Sequence, residues 1–292
     1  MPIRLPAIKQ RHTKFFFLLP AVIWMFAFTI FPLLSSLWMS FNNVKIVGPD
    51  VFIGLRNYAR IFGDYYVGNS AKLTGVMVLV TVIIQVTLGL VLALVMNAEI
   101  RGRRYFRTIY SIPLFATPIG MGYLGHTIFF EEGGPLNIIL TSLSFEPIPW
   151  LSHPFWAFIA ICMIEVWLAT PFCFLVLLAG LQGLSEEVYE AARLDYTSEW
   201  QIFWKITFPM LQPVILIVFL LRLVGALRIL DTVFALTAGG PGTATEVYSL
   251  ITYRAAMKFF DFGYGAALSY MLLIVVMIIT LLSFRKMREI YE

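Results

Sequence analysis

A chain of 292 residues that is 60% hydrophobic and only 13% charged excludes an ordinary water-soluble domain, for which about 45–50% and about 25% are usual. Lipid must therefore be the solvent for much of its surface. The net charge of +4 is modest; its distribution matters more than its size, and no nucleic-acid partner is expected.

A bilayer core of ~30 Å needs about 20 helical residues, and six apolar stretches qualify as spans: 15–41, 73–96, 108–130, 155–181, 208–230 and 262–284. The first is too long for a signal peptide and lacks a cleavage pattern, so it reads as an uncleaved span behind a tail of residues 1–14. Beyond it, 52–62 can be drawn as an amphipathic turn on the membrane or as loop packing. The third stretch contains Pro113 and Pro118, and the fourth contains Pro171. Such prolines mark moving parts or packing kinks, because neighbours can re-satisfy the freed carbonyls. Between these two spans, Glu131-Glu132-Gly133-Gly134-Pro135 is acidic and turn-rich. Cys162 and Cys173, roughly 16 Å apart along one helix, read as apolar core residues rather than a disulfide. His12, His126 and His153 have no metal-ligand spacing.

Lys and Arg set the orientation. Arg4, Lys9, Arg11 and Lys14, then Arg101, Arg103, Arg104 and Arg107, then Arg193 and Lys205, and finally Arg285, Lys286 and Arg288 fall on one side. The other side holds Lys45, Arg56, Arg60, Arg254 and Lys258. The richer side is expected to be cytoplasmic, with both termini inside and 285–292 as the second tail.

The connection 182–209 is long, polar and built for helix. Ser185 can cap a first helix, with Glu186 and Glu187 meeting the positive end of its dipole. Ser198 and Gln201 fit a capping box for a second. Ala191 and Ala192 would let another surface approach closely, so the segment reads as a docking element. Its residues Glu190-Ala191-Ala192, Asp195, Phe203, Ile206, Pro209 and Pro213 resemble the EAA loop of ABC importer permeases. Trp167, LAGL at 178–181, RLVGALRILD at 222–231, LTAGGP at 236–241 and FGYGAALS at 262–269 are similar to the carbohydrate-uptake branch. Their order resembles the first permease of maltose- and glycerol-phosphate-type transporters. Tyr196 stands where the family usually has glycine, and Gly225 where it often has an acidic residue.

The resemblance implies an all-α polytopic membrane protein of the type I ABC importer permease fold, a single transmembrane domain over 15–284. It implies a bacterial or archaeal cytoplasmic (inner) membrane protein, multi-pass, working beside a second homologous permease. Two copies of a cytoplasmic ABC ATPase would use ATP and Mg, and an extracytoplasmic solute-binding protein would deliver a sugar or sugar-like solute. Glu190 would meet a basic group in the ATPase cleft. Glu187, Ala191, Ala192, Asp195, Tyr196 and Ser198 would complete the coupling surface. No G-x-x-x-x-G-K-[ST] phosphate loop is present, so this chain is expected to bind no cofactor, and no catalytic residue is assigned.

Charge inside a membrane costs roughly 2.5–3.5 kcal/mol and tends to face a cavity or pair. Glu165, Arg222, Arg228 and Asp231 are such groups. Arg228 and Asp231 are three apart and can pair with each other or line a pathway. Arg222 shares a helical face with Gly225 and Ile229; it can bind solute hydroxyls or anions, or pair with Glu165. The alternative reading is an ATP-independent secondary transporter or channel, but neither an inverted repeat nor a use for the docking loop favours it. A membrane-embedded enzyme would need a convergent nucleophile, metal or carboxylate set, and none appears.

Overall fold

The computed structural model describes residues 10–98 and 101–291; Arg4 and Lys9 lie outside the described residues. In chain order the helices are α1 (Gln10–Met25), α2 (Phe31–Ser40), α3 (Arg56–Gly63), α4 (Tyr65–Asn97), α5 (Arg103–Ser111), α6 (Pro118–Ile128) and α7 (Pro135–Ser142). There follow α8 (Pro154–Gln182), α9 (Glu186–Asp195), α10 (Glu199–Ile202), α11 (Phe208–Ala226), α12 (Asp231–Leu236), α13 (Tyr248–Tyr253) and α14 (Phe262–Tyr291). A π-helical turn, Phe26–Ile30, joins α1 to α2, and another, Phe203–Thr207, joins α10 to α11.

Among the described residues, five helical segments are long and apolar enough to cross a membrane: Phe17–Ser40, Tyr65–Asn97, Pro154–Gln182, Glu199–Ala226 and Phe262–Arg285. The stretch expected as a third continuous span is broken. Ile112–Phe115 is a 3-10 turn between α5 and α6, with Pro113 inside it and Pro118 opening α6. A proline lacks the amide that would continue the ladder and pushes its predecessor out of helical geometry; Thr117 is accordingly extended, at φ −79° and ψ 133°. The fifth span, expected to reach 230, ends at Ala226. Pro171, by contrast, is carried within an unbroken α8.

The chain divides into two compact units. One comprises Met1–Gly63 and Thr252–Leu272. In it β1 (Asn42–Asn43) pairs antiparallel with β2 (Val51–Phe52), and Lys45 bridges Asp261. The stretch left open as a surface turn or loop packing overlaps α3, whose Asn57 and Ile61 are buried. Asn57 Nδ2 donates to the carbonyls of Ser40 (2.9 Å) and Asn42 (3.1 Å). Arg60 reaches Asp261 at 2.9 Å and lies 3.8 Å from the Tyr264 ring centroid.

The other unit comprises Asp64–Ile251 and Leu273–Glu292. Asp64 caps α4 by accepting from the amides of Tyr66 (3.0 Å) and Val67 (3.5 Å). Its backbone of packing is the α4–α8 pair, where Val78, Val82, Val86, Cys173, Phe174 and Leu177 are buried together with Leu211 and Val218 of α11. Gly89 makes this closeness possible: a methyl group there would lie 2.6 Å from the Cys173 Cβ and 2.9 Å from the Phe174 amide nitrogen. Gly122 and Gly125 of α6 likewise sit against Ala235 and Ile164. Both cysteines are free and buried.

Candidate functional site

Two regions of the second unit collect the residues singled out from sequence. The first is the connection 182–209. Ser185 occupies the cap position of α9 with an extended backbone, but its side chain makes no capping bond. Glu186 and Glu187 in the first turn still complement the dipole. Ser198 likewise opens α10 without a side-chain cap, and the capping box is not formed; the Gln201 amide instead donates to the Ser198 carbonyl at 3.0 Å.

Ala192 is buried inside its own chain, whereas Glu190, Ala191, Leu194 and Asp195 are exposed, Leu194 at 89%. The exposed side of α9 is therefore that of Glu190, Ala191 and Leu194, and Ala192 packs within the chain. The Tyr189 hydroxyl donates to Thr207 Oγ1 at 3.0 Å, tying α9 to the foot of α11. Tyr196 turns the chain at φ −123° and ψ 132°. This is extended backbone open to any residue, so the turn needs no glycine. The Lys205 ammonium lies 4.7 Å over the Tyr196 ring and holds the turn from the far side. Arg193 and Glu199 approach at 4.0 Å, both well exposed, a pairing that contributes little.

The second region is a polar cluster among α4, α8, α11 and α12. Arg222 Nε donates to Gln85 Oε1 at 3.0 Å, Gln85 Nε2 donates to the Glu165 carbonyl at 3.0 Å, and Thr232 Oγ1 donates to Glu165 Oε1 at 2.5 Å. Arg222 therefore does not pair with Glu165 directly: Gln85 stands between them, fully buried. The guanidinium is half-buried, and its Nη groups hydrogen-bond to nothing among the described residues. Gly225 is exposed beside it, with Arg222 Nη1 3.7 Å from where a Cβ would sit.

Of the two alternatives for Arg228 and Asp231, the mutual pair is absent among the described residues, and Ile229 does not continue the Arg222 face. The reason is the end of α11: the Arg228 amide bonds the Gly225 carbonyl and the Ile229 amide the Ala226 carbonyl, an i→i−3 pattern that unwinds the helix before α12. Arg228 and Asp231 are left exposed and Ile229 buried. Gln85 and Thr232 were not singled out from sequence, since an uncharged amide or hydroxyl in an apolar run carries little signal. The LTAGGP segment forms a turn in which Ala238 (φ 48°) and Gly239 (φ 90°) take left-handed backbone, braced by Thr245 Oγ1 donating to the Gly240 carbonyl at 2.7 Å.

Outside the spans, Glu131 draws the amides of Leu151 (2.8 Å) and Ser152 (2.6 Å) and the Ser152 hydroxyl (3.0 Å) onto its carboxylate. Burial works to raise its pKa, but the three donors together outweigh it and hold the group below the ordinary carboxylate value.

The description "binding-protein-dependent transport system inner membrane component" fits residues 85–288 of the chain. The trehalose/maltose transport system permease protein MalF of Thermococcus litoralis is 35% identical over 277 residues, 94% of each chain. The sulfoquinovosyl glycerol transport system permease protein SmoG of Agrobacterium fabrum is 33% identical over 274 residues, 93% of this chain and 89% of that one. A chain in the crystal structure of a bacterial ABC transporter importing the acidic polysaccharide alginate superposes with a TM-score of 0.87 at 23% identity, covering 98% of both chains; that likeness is one of fold.

Proposed function

This chain belongs to the family of inner membrane components of binding-protein-dependent transport systems, and from that premise we propose how it couples and what it carries. It is a permease subunit of an ABC importer and not itself an enzyme. Our reading is that it passes a sugar or sugar-like solute across the bacterial or archaeal cytoplasmic membrane by alternating access. An extracytoplasmic binding protein delivers the solute, and a second, homologous permease completes the path. Two copies of a cytoplasmic ATPase use ATP and Mg, and this chain binds no cofactor.

The observation that carries the coupling is the exposed side of α9. Glu190 stands beside the small Ala191 and the apolar Leu194, so an ATPase cleft can close on the helix while a basic group meets Glu190. Glu187, Asp195, Tyr196 and Ser198 border that contact. Counting the broken third segment as a crossing gives six, and the distribution of Lys and Arg supports cytoplasmic termini. Arg222, Gly225, Glu165, Arg228 and Asp231 are read as the polar lining of the path. ATP-driven closure then pushes α9, and rigid-body rocking of the helices opens the path to alternate sides.

Mild solubilisation of membranes holding a C-terminally tagged chain should recover an ATPase and a second permease, and Glu190→Lys should lose the ATPase. Recovery of the chain alone, or indifference to Glu190→Lys, would overturn the coupling reading. Uptake by the assembled transporter of labelled trehalose, maltose and sulfoquinovosyl glycerol sorts neutral from sulfonated solutes; transport of none of them would set aside the sugar reading.

A further inference from the structure

We infer that Gln85 is a positioning residue for solute selection: it holds Arg222 by the Nε edge so that both Nη groups face the translocation path. This rests on the reading of Arg222 as path lining, and it deepens that reading by naming what aims the guanidinium.

The geometry is specific. Gln85 lies on α4, Arg222 on α11, and Gln85 has no exposed surface. Both ends of its amide are used. The oxygen accepts from Arg222 Nε at 3.0 Å and the nitrogen donates to the Glu165 carbonyl of α8 at 3.0 Å. A carbonyl can only accept and Nε–H can only donate, so these two partners fix which end of the amide is which. The amide cannot flip without placing two donors together and two acceptors together.

The hold on Arg222 is correspondingly directional. A guanidinium presents five donors in one plane, and securing Nε–H orients that plane. Nη1 and Nη2 remain without protein partners among the described residues, with the exposed Gly225 leaving space beside Nη1. A freely rotating arginine in the same place would lose part of its side-chain freedom each time it bound, a cost that a pre-aimed one has already met on folding. Thr232 completes the arrangement by donating to Glu165 Oε1 at 2.5 Å, which fixes the carboxylate on the α8 helix whose carbonyl holds Gln85.

The test is a double-mutant cycle on the purified assembled transporter, reading equilibrium binding of labelled trehalose, maltose and sulfoquinovosyl glycerol without added binding protein. Arg222→Lys keeps the charge but removes the planar fork, and Gln85→Leu removes the bond while filling the space. Each single variant should weaken binding about tenfold, the scale of one hydrogen bond to a charged group, with the number of sites per complex unchanged. Because both remove the same interaction, the double variant should be weaker than either by no more than about twofold.

Full multiplication of the two effects, or unchanged affinity in Gln85→Leu, would overturn the positioning role. Loss of sites at constant affinity would show Gln85 to be structural only. Unchanged affinity in Arg222→Lys, or no binding of any probe to the unmodified transporter, would instead remove the path reading beneath it. Gln85→Met, with a more adaptable side chain, takes the place of Gln85→Leu in the cycle if that variant fails to assemble.

Discussion

The Glu131 carboxylate gathers three donors from Leu151 and Ser152, twenty residues further along the chain, and so closes the loop that carries α7. Its folded pKa lies below the unfolded one. The stabilisation it lends is therefore complete above the ordinary carboxylate range and is lost as pH falls through the lowered value. Protection factors of the Leu151 and Ser152 amides, exchange rates taken relative to the intrinsic rate at each pH, should fall on acidification through that window, and Glu131→Gln should show low protection throughout without that pH dependence. Unaltered protection in Glu131→Gln would refute the role. Sequence marked this stretch as an acidic turn, but the partners twenty residues away are set by the path of the chain and leave no local pattern. The same holds for the membrane charges. Glu165 and Arg222 are conspicuous because charge is rare in apolar runs, yet their link, Gln85, is neutral and passes unnoticed. Arg228 and Asp231 fail as a pair because i,i+3 spacing predicts contact only where the helix continues.

At the scale of elements, α9 is tied to the span that follows it by a side-chain hydrogen bond. The Tyr189–Thr207 hydrogen bond is partly buried and joins the exposed helix to the π-turn beneath α11. Tyr189→Phe removes only the hydroxyl and should cost about 1 kcal/mol of local stability. The expected outcome is faster hydrogen exchange across α9 and weaker stimulation of ATP hydrolysis by solute, with complex assembly retained; undisturbed exchange would show the tether to be incidental. Helix existence here was legible from hydropathy, because α4 and α8 are long and their mean apolarity is unmistakable. Helix ends were less so. Hydropathy counts apolar residues whether or not their backbone is helical, so it ran the fifth span past Ala226 and passed the third straight through Pro113 and Pro118. The caps at Ser185 and Ser198 show the converse limit: residue type located the helix starts, but rotamer decides whether the side chain bonds.

For the whole molecule, composition alone placed the chain in lipid, and the motif string from Glu190 to Pro241 placed it in its family. What neither conveyed is how the helices may move past one another. Gly89 brings α4 within contact of the α8 backbone at Cys173 and Phe174, with no room for a methyl group. Two helices meeting this closely interlock like the teeth of a ratchet. Sliding by less than a full turn would bring Val86, three residues before Gly89 on the same helical face, against the Cys173 backbone. The pair should travel through the transport cycle as one strut, with the hinge placed where the ladder is already loose, at the unwound residues 227–230. Spin labels on exposed positions of α4 and α8 should therefore keep one narrow distance distribution with and without nucleotide, whereas a label pair bridging α11 and α12 should shift or split. Stiffening that joint should stall the cycle while leaving the docking contacts of α9 intact.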